Sequence, residues 1–171
     1  MPEINTLLGL QHGYYDYNDL TTQTTPIPVP NTGAWIQLTN DGAGPYTVDT
    51  YKPTGDGEIW NTLTNQFDFS GLNYGDRVEI RYDVNIETLG NNGEVIMRAH
   101  FGVGSGGDYY RTLAHNHYKN ISPAENITVD IGEHISSNII KDYPAQIEIS
   151  SDVALNVTVN GWYVRVLKRT F

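Results

Sequence analysis

The chain of 171 residues contains no cysteine, which excludes disulfides and thiolate-ligated metals. Positive charge is scarce, because 10 lysines and arginines stand against 20 aspartates and glutamates. Residues 1–76 contain a single basic residue, Lys52. Phosphate backbones and anionic membranes attract clustered basic side chains, so we expect neither nucleic acid nor a membrane as a partner. No segment approaches the ~20 consecutive apolar residues that a membrane helix needs.

Alternation of apolar and polar residues is the strongest positive signal. Residues 77–87 read RVEIRYDVNIE, in which every second residue is apolar, as in a strand with one buried and one solvated face. The pair Asn160-Gly161 lies between two further alternating runs and predicts a hairpin. About eight to ten such runs, separated by turn residues, predict an all-β chain folded as a jelly-roll-like antiparallel β-sandwich.

Residues 1–33 differ from the rest of the chain. They carry little charge and end in alternating prolines (Pro26, Pro28 and Pro30), which cannot occupy a central strand. We therefore predict an extended N-terminal docking arm over residues 1–33 and the sandwich domain over residues 34–171. A mobile tail is the alternative, although such tails are usually more charged. The side chains predicted to bind a partner are Leu7, Leu8, Leu10, Tyr14, Tyr15 and Tyr17.

Three histidines are the best candidates for metal ligands. His115 and His117 are two residues apart and would share one face of a strand, with His100 as a third ligand. No glutamate stands at a recognisable offset, so histidines on the wet face of a tyrosine-rich strand are the simpler interpretation. The G-x-S-x-G and H-E-x-x-H motifs of hydrolases are missing as well. We predict no metal, no cofactor and no enzymatic activity.

One motif imitates a nucleotide-binding loop. Gly102, Gly104 and Gly107 match G-x-G-x-x-G after a predicted strand. A dinucleotide site requires a helix next, whereas the following DYYRTLAHNHY is tyrosine-rich and typical of a strand. The glycines therefore predict a flexible hairpin loop.

Exposed aromatic residues would be platforms for sugar rings. Tyr109 and Tyr110 beside the glycine-rich loop, together with Trp60, are the better candidates for exposure. Trp35 and Trp162 lie within strand patterns, where core packing is the commoner fate. Carbohydrate binding is therefore a minority interpretation of the sequence.

Several motifs recur together between residues 40 and 84: an NDG-x-GP turn, Y-x-P-x-G, an IW pair, FDFS-x-L and GD-x-V-x-IR. The later PA-x-I-x-I-S-x-D (144–152) and VNGWYV (159–164) fit the same set. Together they cover much of the chain and resemble a pattern of small tailed-phage virion proteins. The resemblance implies a jelly-roll subunit on the outside of a phage particle, assembled in the host cytoplasm and usually homo-oligomeric, often trimeric. It carries no catalytic residue.

Our primary hypothesis is a non-enzymatic virion protein that decorates the outer capsid surface and binds the major capsid protein through its N-terminal arm. The first alternative is a receptor- or glycan-binding head of a tail or fibre protein, with Tyr109 and Tyr110 at the loop tip contacting the ligand. The second alternative is a carbohydrate-binding module or a glycan-active enzyme. Arg77 and Arg81 follow the acidic first half of the chain, so they are predicted to contact that half of a neighbouring subunit.

Overall fold

A computed structural model describes residues 10–53 and 56–169. The helices within these residues are short, and none has the length and apolar character needed to cross a membrane. The strands are β1 (Leu10–Asn18), β2 (Ile27–Val29), β3 (Ile36–Gln37), β4 (Trp60–Asn61), β5 (Gln66–Phe67), β6 (Arg77–Thr88), β7 (Gly93–Phe101), β8 (Tyr109–Tyr118), β9 (Glu125–His134), β10 (Ala145–Ser151) and β11 (Leu155–Arg169). The helices are α1 (Thr21–Thr24) and α2 (Asn138–Asp142). The all-β prediction is confirmed.

The strands form two antiparallel sheets. Sheet A has the order β1-β11-β6-β9, and β2 also pairs with β11. Sheet B has the order β4-β5-β10-β7-β8, and β3 also pairs with β10. The hairpins β4–β5 and β7–β8 are consecutive in sequence, but most other neighbours are not, and the chain crosses repeatedly between the sheets, as in a jelly roll built from Greek keys. The predicted jelly-roll-like sandwich is confirmed.

The core lies between the sheets and is built by the predicted alternation. In β6, Val78, Ile80, Tyr82, Val84 and Ile86 are at most 1% exposed, whereas the polar residues between them lie on the outer face. Aromatic rings fill the centre, where Trp162 meets Tyr82 edge-on at 5.3 Å between ring centroids. Edge-to-face contacts of this kind add to the stabilisation that burial alone supplies.

The Asn160-Gly161 pair does not form the predicted hairpin. β11 continues through it, and the pairing with β6 shifts register between Val159 and Gly161, which is a β-bulge. The chain of β1 passes close by, since a Cβ on Gly161 would lie only 2.8 Å from the carbonyl oxygen of Tyr17. Both alternating runs find partners on the single long strand β6, so a bulge replaces the turn.

The docking-arm prediction needs correction for Leu10–Asn18. These residues form β1, which pairs with β11 from Leu10 opposite Arg169 to Asn18 opposite Gly161. Tyr15 and Tyr17 point into the core and are 0% and 5% exposed. The low charge of this segment reflects a half-buried strand instead of a partner-binding arm. The predicted boundary between residues 33 and 34 therefore does not separate an arm from the sandwich, because β1 belongs to the sandwich. Leu7 and Leu8 lie outside the described residues.

The alternating prolines are compatible with the sheet because they lie at its margin. β2 contains Pro28, which stands opposite Asn156 of β11 in a pairing of only three residues. Proline lacks an N–H group, so it is tolerated at such short edge strands. Residues 27–29 therefore also belong to the sandwich.

Candidate functional site

Polar side chains form two adjacent rows on the outer face of sheet B. In β10, Ala145, Ile147 and Ile149 point into the core, so Gln146 and Glu148 between them face outward. Residues that pair with Gln146 and Glu148 on the neighbouring strands lie beside them on the same outer face, so each of the two residues belongs to a row across the sheet. The rows, which we call the platform, are Gln66, Gln146, His100 and Tyr110 in one and Gln37, Glu148 and Arg98 in the other.

Glu148 is the hub of the platform. Its Oε2 accepts a hydrogen bond from Arg98 Nε at 2.7 Å. Its Oε1 accepts one from Gln146 Nε2 at 2.7 Å and lies 3.2 Å from His100 Nδ1. Burial raises the pKa of Glu148, but the hydrogen bonds from Gln146, Arg98 and His100 outweigh it and hold the pKa below its ordinary value. Glu148 is therefore an ionised anchor that orients its neighbours.

The Arg98 guanidinium lies between two aromatic rings. Its Cζ is 3.6 Å from the centroid of the Trp35 ring and 3.8 Å from that of the Tyr110 ring. Both rings remain accessible, since Trp35 is 36% and Tyr110 48% exposed. Attraction between the cation and the ring faces holds both rings in place. We call Trp35, Arg98 and Tyr110 the aromatic clamp.

Asp108 ties the β7–β8 loop to the platform. Its Oδ2 accepts a hydrogen bond from the Tyr110 hydroxyl at 3.0 Å and lies 3.0 Å from His100 Nε2. These two hydrogen bonds lower the pKa of Asp108, and the bond to Asp108 raises the pKa of Tyr110. The orientation of the exposed Tyr110 ring is thus set at two points, by Arg98 against the ring face and by Asp108 at the hydroxyl.

The glycine-rich segment is the hairpin loop that its sequence predicts. It connects β7 to β8, which pair antiparallel. Gly102 and Gly104 have φ angles of +74° and +81°, a region that favours glycine. The segment following the loop is the strand β8, so the helix of a dinucleotide site is not formed there.

The tryptophans are placed differently from the prediction. Trp35, assigned to the core from its strand pattern, contributes to the exposed clamp. Trp60, expected to be exposed, is 3% exposed and donates from Nε1 to the carbonyl oxygen of Asn40 at 2.8 Å. Trp162 is buried as predicted. Of the tyrosine pair, Tyr109 packs on Phe101 at 5.2 Å, so Tyr110 alone is well exposed.

The structure does not bring the three histidines together. His100 lies in the platform, whereas His115 stands opposite Ile96 and its Nε2 is 3.8 Å from an oxygen of Glu94. His117 stands opposite Glu94 at the far end of β8. Among the described residues, no cluster of three or more histidine, aspartate or glutamate side chains could hold a metal ion.

Arg77 and Arg81 lie on the outer face of sheet A, away from the platform. Arg77 Nη2 is 3.2 Å from Glu79 Oε1, and Arg81 Nε donates to Asp83 Oδ2 at 3.0 Å. Arg81 also lies 5.5 Å from the centroid of the Tyr163 ring. Both arginines thus have carboxylate partners within the chain, and their role between subunits stays a prediction.

Comparison with known proteins gives likeness in fold only. No protein family and no curated protein sequence matches the chain. A structure of infectious bursal disease virus, Gx strain, is similar with a TM-score of 0.45 and 9% identity over 95% of this chain and 37% of that chain. The CBM22-1 xylan-binding domain of Paenibacillus barcinonensis Xyn10C has a TM-score of 0.40 and 13% identity over 91% and 93% of the two chains. Eiger TNF from S. frugiperda has a TM-score of 0.39 and 8% identity over 92% of each. The chain therefore spans little more than a third of the viral chain that it matches.

Proposed function

We propose that the chain is a non-enzymatic protein of the phage virion surface and that its platform and aromatic clamp bind a host glycan. The observation that carries this proposal is the pair of exposed rings, Trp35 and Tyr110, held by contact with Arg98 beside an array of hydrogen-bonding groups. Sugars offer C–H faces that stack on aromatic rings and hydroxyl groups that need placed donors and acceptors. The phage context of the proposal rests on the sequence resemblance.

The carboxylates of the site favour binding over hydrolysis. A glycosidase needs one carboxyl group whose pKa is raised, so that it can protonate the leaving oxygen near neutral pH. The hydrogen bonds around Glu148 and Asp108 lower the pKa of both groups. Neither carboxyl is prepared to act as a general acid, which supports a binding protein.

Removing either ring of the aromatic clamp should weaken glycan binding. Tyr110→Ala and Trp35→Ala are each expected to lower the affinity about fivefold, since a stacked ring contributes roughly 1 kcal/mol. An array of bacterial surface polysaccharides would identify a ligand, and calorimetry would then measure both variants. Tyr46→Ala is the matched control, because Tyr46 is 75% exposed but lines a different pocket, together with Leu20 and Asn160. Full affinity in both variants, or an array without any bound polysaccharide, would contradict the proposal.

The sequence resemblance favours capsid decoration as a second candidate function. Since Leu10 already begins β1, the predicted docking residues that precede the sandwich are Leu7 and Leu8. Decoration predicts saturable binding to expanded phage capsids that is lost when residues 1–9 are deleted, with no change in the midpoint of thermal unfolding. Cosedimentation with capsids measures this binding. Equal binding by the truncated and the full chain would exclude these residues as the anchor.

A further inference from the structure

A polar cleft adjoins the platform at the β5 side of sheet B. It has a volume of about 280 Å³ and is lined by Asn61, Thr64, Gln66, Asp68 and Asp142, among others. Gln66 belongs to both the cleft and the platform, so the two surfaces are continuous. A ligand that contacts the clamp could therefore extend along the platform into this cleft.

A relay of hydrogen bonds connects the two ends of this surface. Gln66 Nε2 donates to Gln146 Oε1 at 2.9 Å, and Gln146 Nε2 donates to Glu148 Oε1 at 2.7 Å. In the second row, Gln37 Nε2 donates to the carbonyl oxygen of Thr64 at 2.9 Å and so holds the wall of the cleft. The donors and acceptors between clamp and cleft are thus preorganised, which lowers the entropic cost of binding a ligand along them.

The length of the surface indicates how large the ligand is. Tyr110 on β8 and Gln66 on β5 are separated by the two intervening strands β7 and β10. Three strand spacings of about 4.8 Å make about 14 Å, which is roughly the length of three sugar units in a linear chain. A single sugar on the clamp would leave the cleft empty.

The charges of the surface indicate what kind of sugar it accepts. Among the described residues, the lining of the cleft includes the carboxylates Asp68 and Asp142 and no lysine, arginine or histidine. Lys141 lies nearby, but its Nζ donates to the carbonyl oxygens of Ser70 and Leu72. The one cation of the clamp, Arg98, is already paired with Glu148. Acidic sugars would meet like charge at the cleft without a free cation in compensation, whereas the hydroxyl groups of neutral sugars find amide and carboxylate partners.

We propose that the site binds a linear neutral oligosaccharide of three or more units, with the clamp at one end and the cleft at the other. This inference rests on the proposed glycan-binding function and specifies the size and charge of its ligand. It predicts that affinity depends on chain length and that residues of the cleft matter for long ligands only.

The test uses calorimetry on linear neutral oligosaccharides of one to six units, in gluco-, xylo-, manno- and galacto-series, with oligogalacturonates as acidic comparators. In the series that binds, affinity should rise at least tenfold from one unit to three or four units and then level off. Gln66→Ala should lower the affinity for the tetrasaccharide about tenfold and leave that for the monosaccharide unchanged. Asp142→Ala, at an exposed position of the cleft, should act in the same direction and guards against misfolding of the first variant.

The control is Asn126→Ala, which removes an exposed amide on sheet A and should leave all affinities unchanged. Equal affinity for one and four units, or unchanged tetrasaccharide binding in both cleft variants, would overturn the inference while the clamp could still bind a single sugar. Preference for oligogalacturonates would overturn the assignment of a neutral ligand. If no oligosaccharide binds and the polysaccharide array is also blank, the proposed function fails together with the inference.

Discussion

Replacing Glu148 by alanine should lower the free energy of unfolding by about 3 kcal/mol and abolish glycan binding, because breaking a buried ion pair costs about 3–5 kcal/mol. The side chains of Glu148 and Arg98 are only 9% and 17% exposed, so solvent screens their interaction little. The variant also removes the acceptor of Gln146 Nε2 and one of the two carboxylate partners of His100. We expect the lower end of the range because Arg98 keeps its contacts with the two rings of the clamp.

Urea denaturation with linear extrapolation measures this loss of stability. Asp83→Ala is the matched control, since Asp83 pairs with Arg81 on the outer face of sheet A, where the two side chains are 25% and 48% exposed. Such exposed pairs contribute about 0–1 kcal/mol. Asp83 also accepts a hydrogen bond from Thr128, which the variant removes as well. If Glu148→Ala costs no more than Asp83→Ala, Glu148 is not the hub of the platform.

The pH dependence of stability is a second test of the role predicted for Glu148. Because the folded protein holds the pKa of Glu148 below its ordinary value of 4.5, the stabilising contribution is fully present above that pH. It declines as the pH falls below 4.5 and through the lower pKa of the folded state. The difference in stability between the unchanged protein and Glu148→Ala should therefore be constant near neutral pH and shrink in acid.

Alternation in the sequence predicts the sandwich because every second residue of a strand faces the core and is therefore apolar. The row from Val78 to Ile86 is an example, and it is buried as predicted. Alternation does not identify the neighbouring strands. Arg98, which on its own strand resembles an ordinary solvated charge, becomes part of a site only when the register places Glu148 beside it.

The tryptophans show a second limit of the pattern. Trp35 precedes a strand of only two residues, β3, which is too short for alternation to identify its buried face. Trp60 stands in a similarly short strand, β4, and is buried against Phe67 and Trp162, with its Nε1 donating to the carbonyl oxygen of Asn40. The clamp could therefore be predicted only through Tyr110, whose position beside the glycine-rich loop indicates exposure.

The docking arm predicted over residues 1–33, from their low charge and alternating prolines, includes the segment Leu10–Asn18. The same residues also alternate, since Tyr15 and Tyr17 fall on one face and Tyr14 and Asp16 on the other. The segment forms a strand because β11 offers nine paired positions, and this pairing satisfies the backbone groups and buries the Tyr15 and Tyr17 rings.

Tyr15→Ala should therefore destabilise the whole sandwich, by about 3–5 kcal/mol, the cost typical of removing a buried aromatic ring. Tyr15 is 0% exposed, stacks on Tyr17 at 5.9 Å between ring centroids, and donates its hydroxyl to the carbonyl oxygen of Gly57 at 3.0 Å. Thermal and urea unfolding, followed by circular dichroism, measure the effect. Tyr15→Phe should cost only about 1 kcal/mol, because it removes the hydrogen bond and keeps the ring.

Tyr14→Ala provides the control on the neighbouring position of the same strand. Tyr14 lies on the outer face of sheet A and stacks on Tyr51 at 5.1 Å, so its loss should cost about 1 kcal/mol or less. If the segment is a core strand, the two tyrosine substitutions should differ strongly in their effect on stability. If it is a detachable arm, both substitutions should leave the stability of the sandwich unchanged. Equal midpoints of unfolding for Tyr14→Ala and Tyr15→Ala would thus restore the docking-arm interpretation and return the tyrosines to the surface that binds a partner.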